Sequence, residues 1–131
     1  MEFDSKAYIG EYIERARKAQ AEFEKMSQEE VDLAAKTIAK VVYDNAEYLA
    51  EIAVEETGMG NVPDKIAKNK QKSKIIWNNL KGKKSRGILD TDETTGITRI
   101  AKPVGVVAAI TPCTNPIVTP MSNAMFALKC G

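Results

Sequence analysis

Two thiols, a hydroxyl and an amide are the groups in this chain with the most chemical promise. The stretch Ala109–Pro120, AITPCTNPIVTP, sets Cys113, Thr114 and Asn115 among prolines, and Cys130 follows later. Cys113 comes just after Pro112, where a loop would present its thiol. A reactive thiolate needs a cationic neighbour, a helix N-terminus or a metal, and the chain contains no histidine to serve as its base. The same absence rules out a Ser-His-Asp or Cys-His arrangement built from these residues, and any zinc site that needs histidine. Two cysteines fit no CxxC pattern and cannot supply a four-thiolate metal site. Cys130 falls at the C-terminus of a helical pattern, where the dipole disfavours a thiolate. A packed or incidental thiol is the commoner role for both. Thr114 and Asn115 are better suited to hydrogen-bond donation. Their place after an apolar run and before a helical pattern is where α/β proteins bind ligands. An amide or hydroxyl beside free backbone N–H groups suits a developing oxyanion. The same spacing also fits a plain helix start, with Asn115 as the cap and Pro116 at the first helical position.

The elements that must position these residues follow from periodicity. GVVAAI (residues 105–110) is apolar without alternation, as in a strand covered on both faces. Val118, Met121, Met125, Phe126 and Leu128 then recur at helical spacing. Strand, turn and helix open a βαβ unit. One strand cannot make a parallel sheet, so this one either pairs with a neighbouring hairpin or belongs to something larger. Upstream, GILDTDETTGITRIAKP reads as a β-hairpin around the acidic turn Asp90–Gly96.

Four helices precede the hairpin. Asp4 or Ser5 can cap the first, whose stripe of Tyr8, Ile9, Tyr12, Ile13, Ala16, Ala19 and Phe23 suits core packing or a docking helix, core packing being the commoner use. Ser27 and Glu30 form a capping-box pattern for the second, with Val31, Ala34, Ala35, Ile38, Val41 and Val42 on its apolar side. A break at Asp44-Asn45 starts a third helix, which Gly58 and Gly60 end. Pro63 suits the first turn of a fourth, whose apolar side would be Ile66, Ile75, Ile76, Trp77 and Leu80.

Net charge is +1, unevenly spread: residues 1–60 carry 7 basic and 14 acidic groups, whereas residues 61–87 carry 9 basic groups and one acid, Asp64. The lysine-rich segment Lys65–Arg86 could meet nucleic acid or nucleotide phosphates. A solvated face balanced by the acidic helices is the commoner use of such a run. GKKS (Gly82–Ser85) fails as a phosphate loop, because Trp77 stands where the first glycine is required and Lys84 where Ser or Thr is. No apolar stretch is long enough to span a membrane, and the charged N-terminus has no apolar signal core. These features lead one to expect a cytoplasmic protein with free thiols, no membrane partner and no nucleic-acid partner.

AKPVGVVAAITPCTNPIVTPMSNAMFALKCG resembles the segment leading into the cofactor domain of the aldehyde dehydrogenase superfamily, and in particular its CoA-acylating branch. SQEEVDLAAKTIAKVVYDNAEYLAEIAVEETGMG and KNKQKSKIIWNNLKGKKSRGIL are similar to the N-terminal helices of that branch, so the resemblance covers nearly the whole chain. It implies an α/β fold, of which this chain is the N-terminal part and by itself mostly helical. A helical region (1–87), an extended hairpin arm (88–103) and the incomplete start of a Rossmann-like nucleotide-binding domain (104–131) are expected.

The implied reaction is oxidation of an aldehyde, a short acidic one such as succinate semialdehyde, to an acyl-CoA. NAD or NADP would be the cofactor, coenzyme A the co-substrate, and the enzyme a homo-oligomer. A cysteine thiolate adds to the aldehyde, hydride leaves for the cofactor, and coenzyme A releases the thioacyl group. By resemblance Ile110, Thr111, Pro112 and Cys113 line the cofactor and an asparagine donates to the aldehyde oxygen. Hydrolytic members read proline, aromatic, asparagine, aromatic, proline, whereas this chain reads Pro112-Cys113-Thr114-Asn115-Pro116. Column matching therefore puts Thr114 in the donor place. The acylating branch shares the shifted asparagine, which assigns the role to Asn115 with Thr114 as the alternative. The family's nucleophilic cysteine lies far downstream, and neither Cys113 nor Cys130 matches its context. The 131 residues alone are thus expected to lack dehydrogenase activity and to expose apolar surface that favours self-association. A hydrolytic, non-acylating parent and a small helical module binding a polyanion or protein partner are the alternatives.

Overall fold

The computed structural model describes residues 4–131. Residues 1–3, which open both the expected helical region and the charged N-terminal stretch, lie outside the described residues. Helix α1 (Ser5–Phe23) starts where the carboxylate of Asp4 accepts from the N–H of Ala7 at 3.0 Å. Helix α2 (Gln28–Asp44) has a reciprocal capping box: the N–H of Glu30 donates to Ser27 Oγ at 3.2 Å, and the N–H of Ser27 donates to Glu30 Oε2 at 2.7 Å. Helix α3 (Ala46–Thr57) ends at Gly58, whose φ of 64° is left-handed backbone that glycine adopts without strain. Helix α4 (Val62–Leu80) is capped by Asn61, which accepts from the N–H of Asp64 at 2.9 Å, and Pro63 sits in its first turn. Strands β1 (Ile88–Asp92) and β2 (Ile97–Ile100) pair antiparallel, with a bulge between Ile88 and Asp90. Helix α5 (Val118–Cys130) closes the order. None of these helices is long and apolar enough to cross a membrane.

Helix α2 lies at the centre and packs on α3, α4 and α5. It buries Val31, Ala35, Ala39 and Val42, while α3 buries Ala46, Ala50 and Ala53. Small side chains let helix axes approach closely. Val118, Met121 and Met125 of α5 complete the apolar cluster with Ala39 and Val42, and Ile38, Leu49, Ile76, Trp77 and Leu80 pack against it.

A polar network clamps this cluster. The ammonium of Lys129, on α5, donates to Asp32 Oδ1 of α2 at 2.6 Å and to the carbonyl of Lys83 at 2.7 Å. Gln28 donates to the same carboxylate at 2.9 Å, and its own carbonyl accepts from the N–H groups of Ser85 and Arg86 at 2.7 and 3.1 Å. Arg86 in turn donates to the carbonyl of Phe23 and lies over its ring.

Three expectations change. Helix α4 faces inward with more than its apolar side: Ile76, Trp77 and Leu80 pack on the cluster as expected, but its buried residues are Lys65, Asn69 and Ser73, and Ile75 is half exposed. A polar stripe can face the core here because two of its three groups find partners there. Asn69 donates to the carbonyl of Ala46 at 3.2 Å, and Ser73 donates to the carbonyl of Asn69 at 2.6 Å. Secondly, GVVAAI carries no strand pairing. A strand is defined by ladder bonds, and no other strand lies beside this segment among the described residues. It is held at its start instead, where the N–H groups of Val104 and Gly105 donate to the carbonyls of Cys130 and Gly131 at 3.0 and 3.2 Å. Val106, Val107 and Ile110 are left exposed. Thirdly, the stripe of α1 is not core. Tyr8, Ile9, Tyr12 and Ile13 are exposed, and among the described residues α1 packs on no other helix or strand.

The hairpin also stands free of the helices among the described residues. A two-point ion pair holds it, in which Arg99 Nε donates to Asp90 Oδ1 at 2.7 Å and Nη2 to Oδ2. The hydrogen bond from Arg99 holds the Asp90 carboxyl below its usual range. The side chain and N–H of Thr95, with the N–H of Thr94, do the same for Asp92.

Asp32→Ala should cost about 2–3 kcal/mol in urea unfolding, because it strands a buried ammonium. Lys129→Met should cost clearly less, since Asp32 keeps some contact with water. Equal costs would contradict the clamp. Because the folded Asp90 and Asp92 carboxyls sit low, their support is full above the ordinary carboxylate pKa of about 3.9 and is lost as pH falls through the depressed values. Cross-strand NOEs between Thr91 and Thr98 should therefore fade below about pH 4, before α2 unfolds; a hairpin unchanged down to about pH 2 would refute this. The exposed stripes of α1 and residues 104–110 should produce species heavier than a monomer in light scattering, and a monodisperse monomer at high concentration would count against that expectation.

Candidate functional site

Residues 111–117 carry the chain from the extended segment into α5. The N–H of Asn115 donates to the carbonyl of Pro112 at 3.4 Å and closes a turn between the two prolines. The helix then begins at Val118, with Ile117 in the cap position, and the N–H of Met121 makes the first helical bond to the Ile117 carbonyl at 3.2 Å. Asn115 is therefore not the helix cap, and Pro116 precedes the first helical residue. The turn places them too early. Asn115 is half-buried, and among the described residues its side-chain amide makes no hydrogen bond. Two amide N–H donors stand uncommitted at a turn leading into a helix.

The other residues picked out by sequence are arranged differently. Ile110 is 99 % exposed, and Thr111, Pro112, Cys113 and Thr114 are exposed as well. Cys113 and Cys130 are free, exposed thiols, and neither thiol has a hydrogen-bond partner among the described residues. Ile110 lines an apolar groove of about 360 Å³ between the extended segment and α5, with Val104, Val107, Phe126 and Cys130. Thr114 lines a separate cleft of about 230 Å³ against the start of α4. The six residues thus share one turn and its approach without sharing one cavity. Among the described residues no cluster of acidic or cysteine side chains could hold a metal ion.

The cleft at Thr114 contains a residue that sequence reasoning assigned to solvent. Lys65 is only 8 % exposed and lines the cleft together with Met59, Gly60, Asn61, Asp64 and Lys68. Gly60, at φ 76°, is in left-handed backbone that glycine adopts without strain, and it lies against the lysine: a Cβ there would be 3.4 Å from Lys65 Cε and 3.9 Å from Nζ. The basic character of the segment hid this lysine. Its available signal is the spacing Lys65, Asn69, Ser73, one face of a helix with small polar groups amid longer neighbours. Elsewhere α4 keeps the expected exposed charge, with Lys70 paired to Glu47 at 3.4 Å and Lys74 over the ring of Tyr43.

Comparison with known proteins places this geometry. The model of the aldehyde dehydrogenase family matches residues 2–131. The succinate-semialdehyde dehydrogenase (acetylating) of Clostridium kluyveri is 54 % identical over 121 residues, 92 % of this chain and 27 % of that protein. The sulfoacetaldehyde dehydrogenase (acylating) of Cupriavidus necator is 46 % identical over 125 residues, 94 % of this chain and 25 % of that protein. The solved structure of an acetylating aldehyde dehydrogenase from Geobacillus thermoglucosidasius superposes with a TM-score of 0.90 at 41 % identity, covering 95 % of this chain and 27 % of that one. The chain spans about a quarter of the length of these relatives. Its helices, hairpin arm and the turn bearing Asn115 are a portion of their fold, and on the family match along nearly its whole length the chain belongs to the aldehyde dehydrogenase family.

Proposed function

We propose that this chain forms part of a CoA-acylating aldehyde dehydrogenase, which converts a short acidic aldehyde to its acyl-CoA with NAD or NADP as hydride acceptor. Succinate semialdehyde is the first candidate. The observation that carries this reading is the 54 % identity to an acetylating succinate-semialdehyde dehydrogenase across the very turn that leaves the Asn115 amide uncommitted.

In this reading the chain contributes electrostatics rather than the nucleophile. When a thiolate adds to the aldehyde carbon, negative charge gathers on the oxygen, and a fixed N–H donor lowers the cost of forming it. Asn115 is the preferred donor. It is half-buried and rigidly flanked by Pro116, whereas Thr114 is exposed and turned to the other cleft. Ile110–Cys113 presents uncharged, exposed surface, which fits a flat nicotinamide ring and offers nothing for phosphates. The bound dinucleotide supplies the hydride acceptor; the chain's own part is to wall one side of it. Cys113 and Cys130 have no base and remain bystanders. The protein works in the cytoplasm as a homo-oligomer, and the exposed stripes of α1 and residues 104–110 are where further protein surface packs.

The test uses a polypeptide that begins with this chain and extends over the length of the relatives, assayed for NAD(P)H formation with succinate semialdehyde. Asn115→Ala should lower kcat about 10²–10³-fold with little change in KM, and Thr114→Ala should have a small effect. Equal loss from both variants would reject Asn115 as the single donor. Turnover undiminished without coenzyme A would reject the acylating reading in favour of hydrolysis. The 131-residue chain alone should form no acyl-CoA.

A further inference from the structure

Among the buried polar residues Lys65 stands apart. Asn69, Ser73 and Lys129 each donate to a carbonyl or carboxylate, but the ammonium of Lys65 has no hydrogen-bond or ion-pair partner among the described residues. Its stem is buried, while its ammonium meets the water of the cleft and has no counter-ion there. The Asp64 carboxylate lines the same cleft and accepts from the Asn61 amide at 2.7 Å, but it makes no ion pair with Lys65. The ammonium lies instead over Gly60, at the mouth of the cleft where α4 begins. There the helix directs its first N–H groups and positive dipole end outward, and Lys68 adds a second cation.

We propose that Lys65, with the first turn of α4, Lys68 and Thr114, is a subsite for a small oxyanion, a carboxylate or a sulfonate. The cleft of about 230 Å³ is below the size that drug-like ligands and cofactors occupy, so it suits a small group and not a nucleotide. Thr114 connects it to the candidate donor, because Asn115 is the next residue. An acid group held at Lys65 and a carbonyl at Asn115 are then the two ends of one short molecule. This last step rests on the acylating-dehydrogenase reading; the anion site itself does not. The two relatives described above are named for succinate semialdehyde and sulfoacetaldehyde, aldehydes that carry a carboxylate and a sulfonate at the end remote from the carbonyl. A lysine, a compact point charge, accepts either geometry.

The experiment measures binding and not turnover, so it can fail while the acylating reading stands, and the reverse. Succinate, methanesulfonate, phosphate and uncharged succinamide are titrated into the 131-residue chain at matched ionic strength. Amide signals of Gly60, Lys65 and Thr114 are followed by NMR. Succinate and methanesulfonate should shift all three saturably, and succinamide should not. Lys65→Met should weaken binding at least about tenfold, the loss of a buried charge-assisted contact, and Lys68→Met about two- to threefold. Should Lys65→Met misfold, the Lys65 side-chain Nζ signal of the unmutated chain provides the readout, and it must move with succinate. Absence of a saturable shift, or undiminished binding by folded Lys65→Met, would overturn the site. Tighter binding of phosphate than of carboxylate and sulfonate would overturn its assignment to the acid end of a substrate.

Discussion

Lys129 of α5 is buried with its ammonium 2.6 Å from Asp32 of α2 and 2.7 Å from the carbonyl of Lys83, and the placement of the last third of the chain follows from those contacts. A lysine enters an apolar cluster only where its charge is matched. The match needs one helix, α2, to meet both α5 and the loop after α4, so it specifies a single docking of α5. Gln28 extends the specification by holding the backbone of Ser85 and Arg86, from which the hairpin departs. With α5 fixed, its leading turn is fixed too, which brings Thr114 to the cleft at the start of α4.

Helix α4 illustrates how polarity and burial separate. Its charged residues were expected outside and its apolar ones inside; Ile76, Trp77 and Leu80 do pack on the core, yet its buried residues are Lys65, Asn69 and Ser73. Two of the three are satisfied locally, by the carbonyls of Ala46 and Asn69. Lys65 is the exception, and it is the one that lies in a cleft with Thr114. Departures from the usual inside–outside rule gather where a protein has something to bind. Here one departure adjoins the turn that holds the proposed donor, Asn115.

The free-standing parts share one feature. α1, the hairpin and residues 104–110 all show exposed isoleucine, valine or tyrosine, and among the described residues α1 and the hairpin pack on no other element. The relatives described above are more than three times this length. The hairpin holds together nonetheless through the Asp90–Arg99 pair and the hydrogen bonds that Asp92 accepts in its turn, all of them local.

Sequence by itself determined whatever short-range chemistry controls. The Asp4 and Ser27–Glu30 caps, the Gly58 stop, Pro63 in a first turn and the hairpin around its acidic turn are all legible because each depends on residues close in sequence, the widest being the hairpin pair Ile88 and Ile100. The family kinship was legible as well, in the pattern from GVVAAI through Pro112-Cys113-Thr114-Asn115-Pro116. Tertiary structure alone decided which stripes were buried, that Lys129 pairs with Asp32 across 97 positions, that α5 begins only at Val118, and that Lys65 lies in one cleft with Thr114. Those outcomes depend on which distant group supplies a counter-charge, a carbonyl or a covering surface, and no local spacing encodes that.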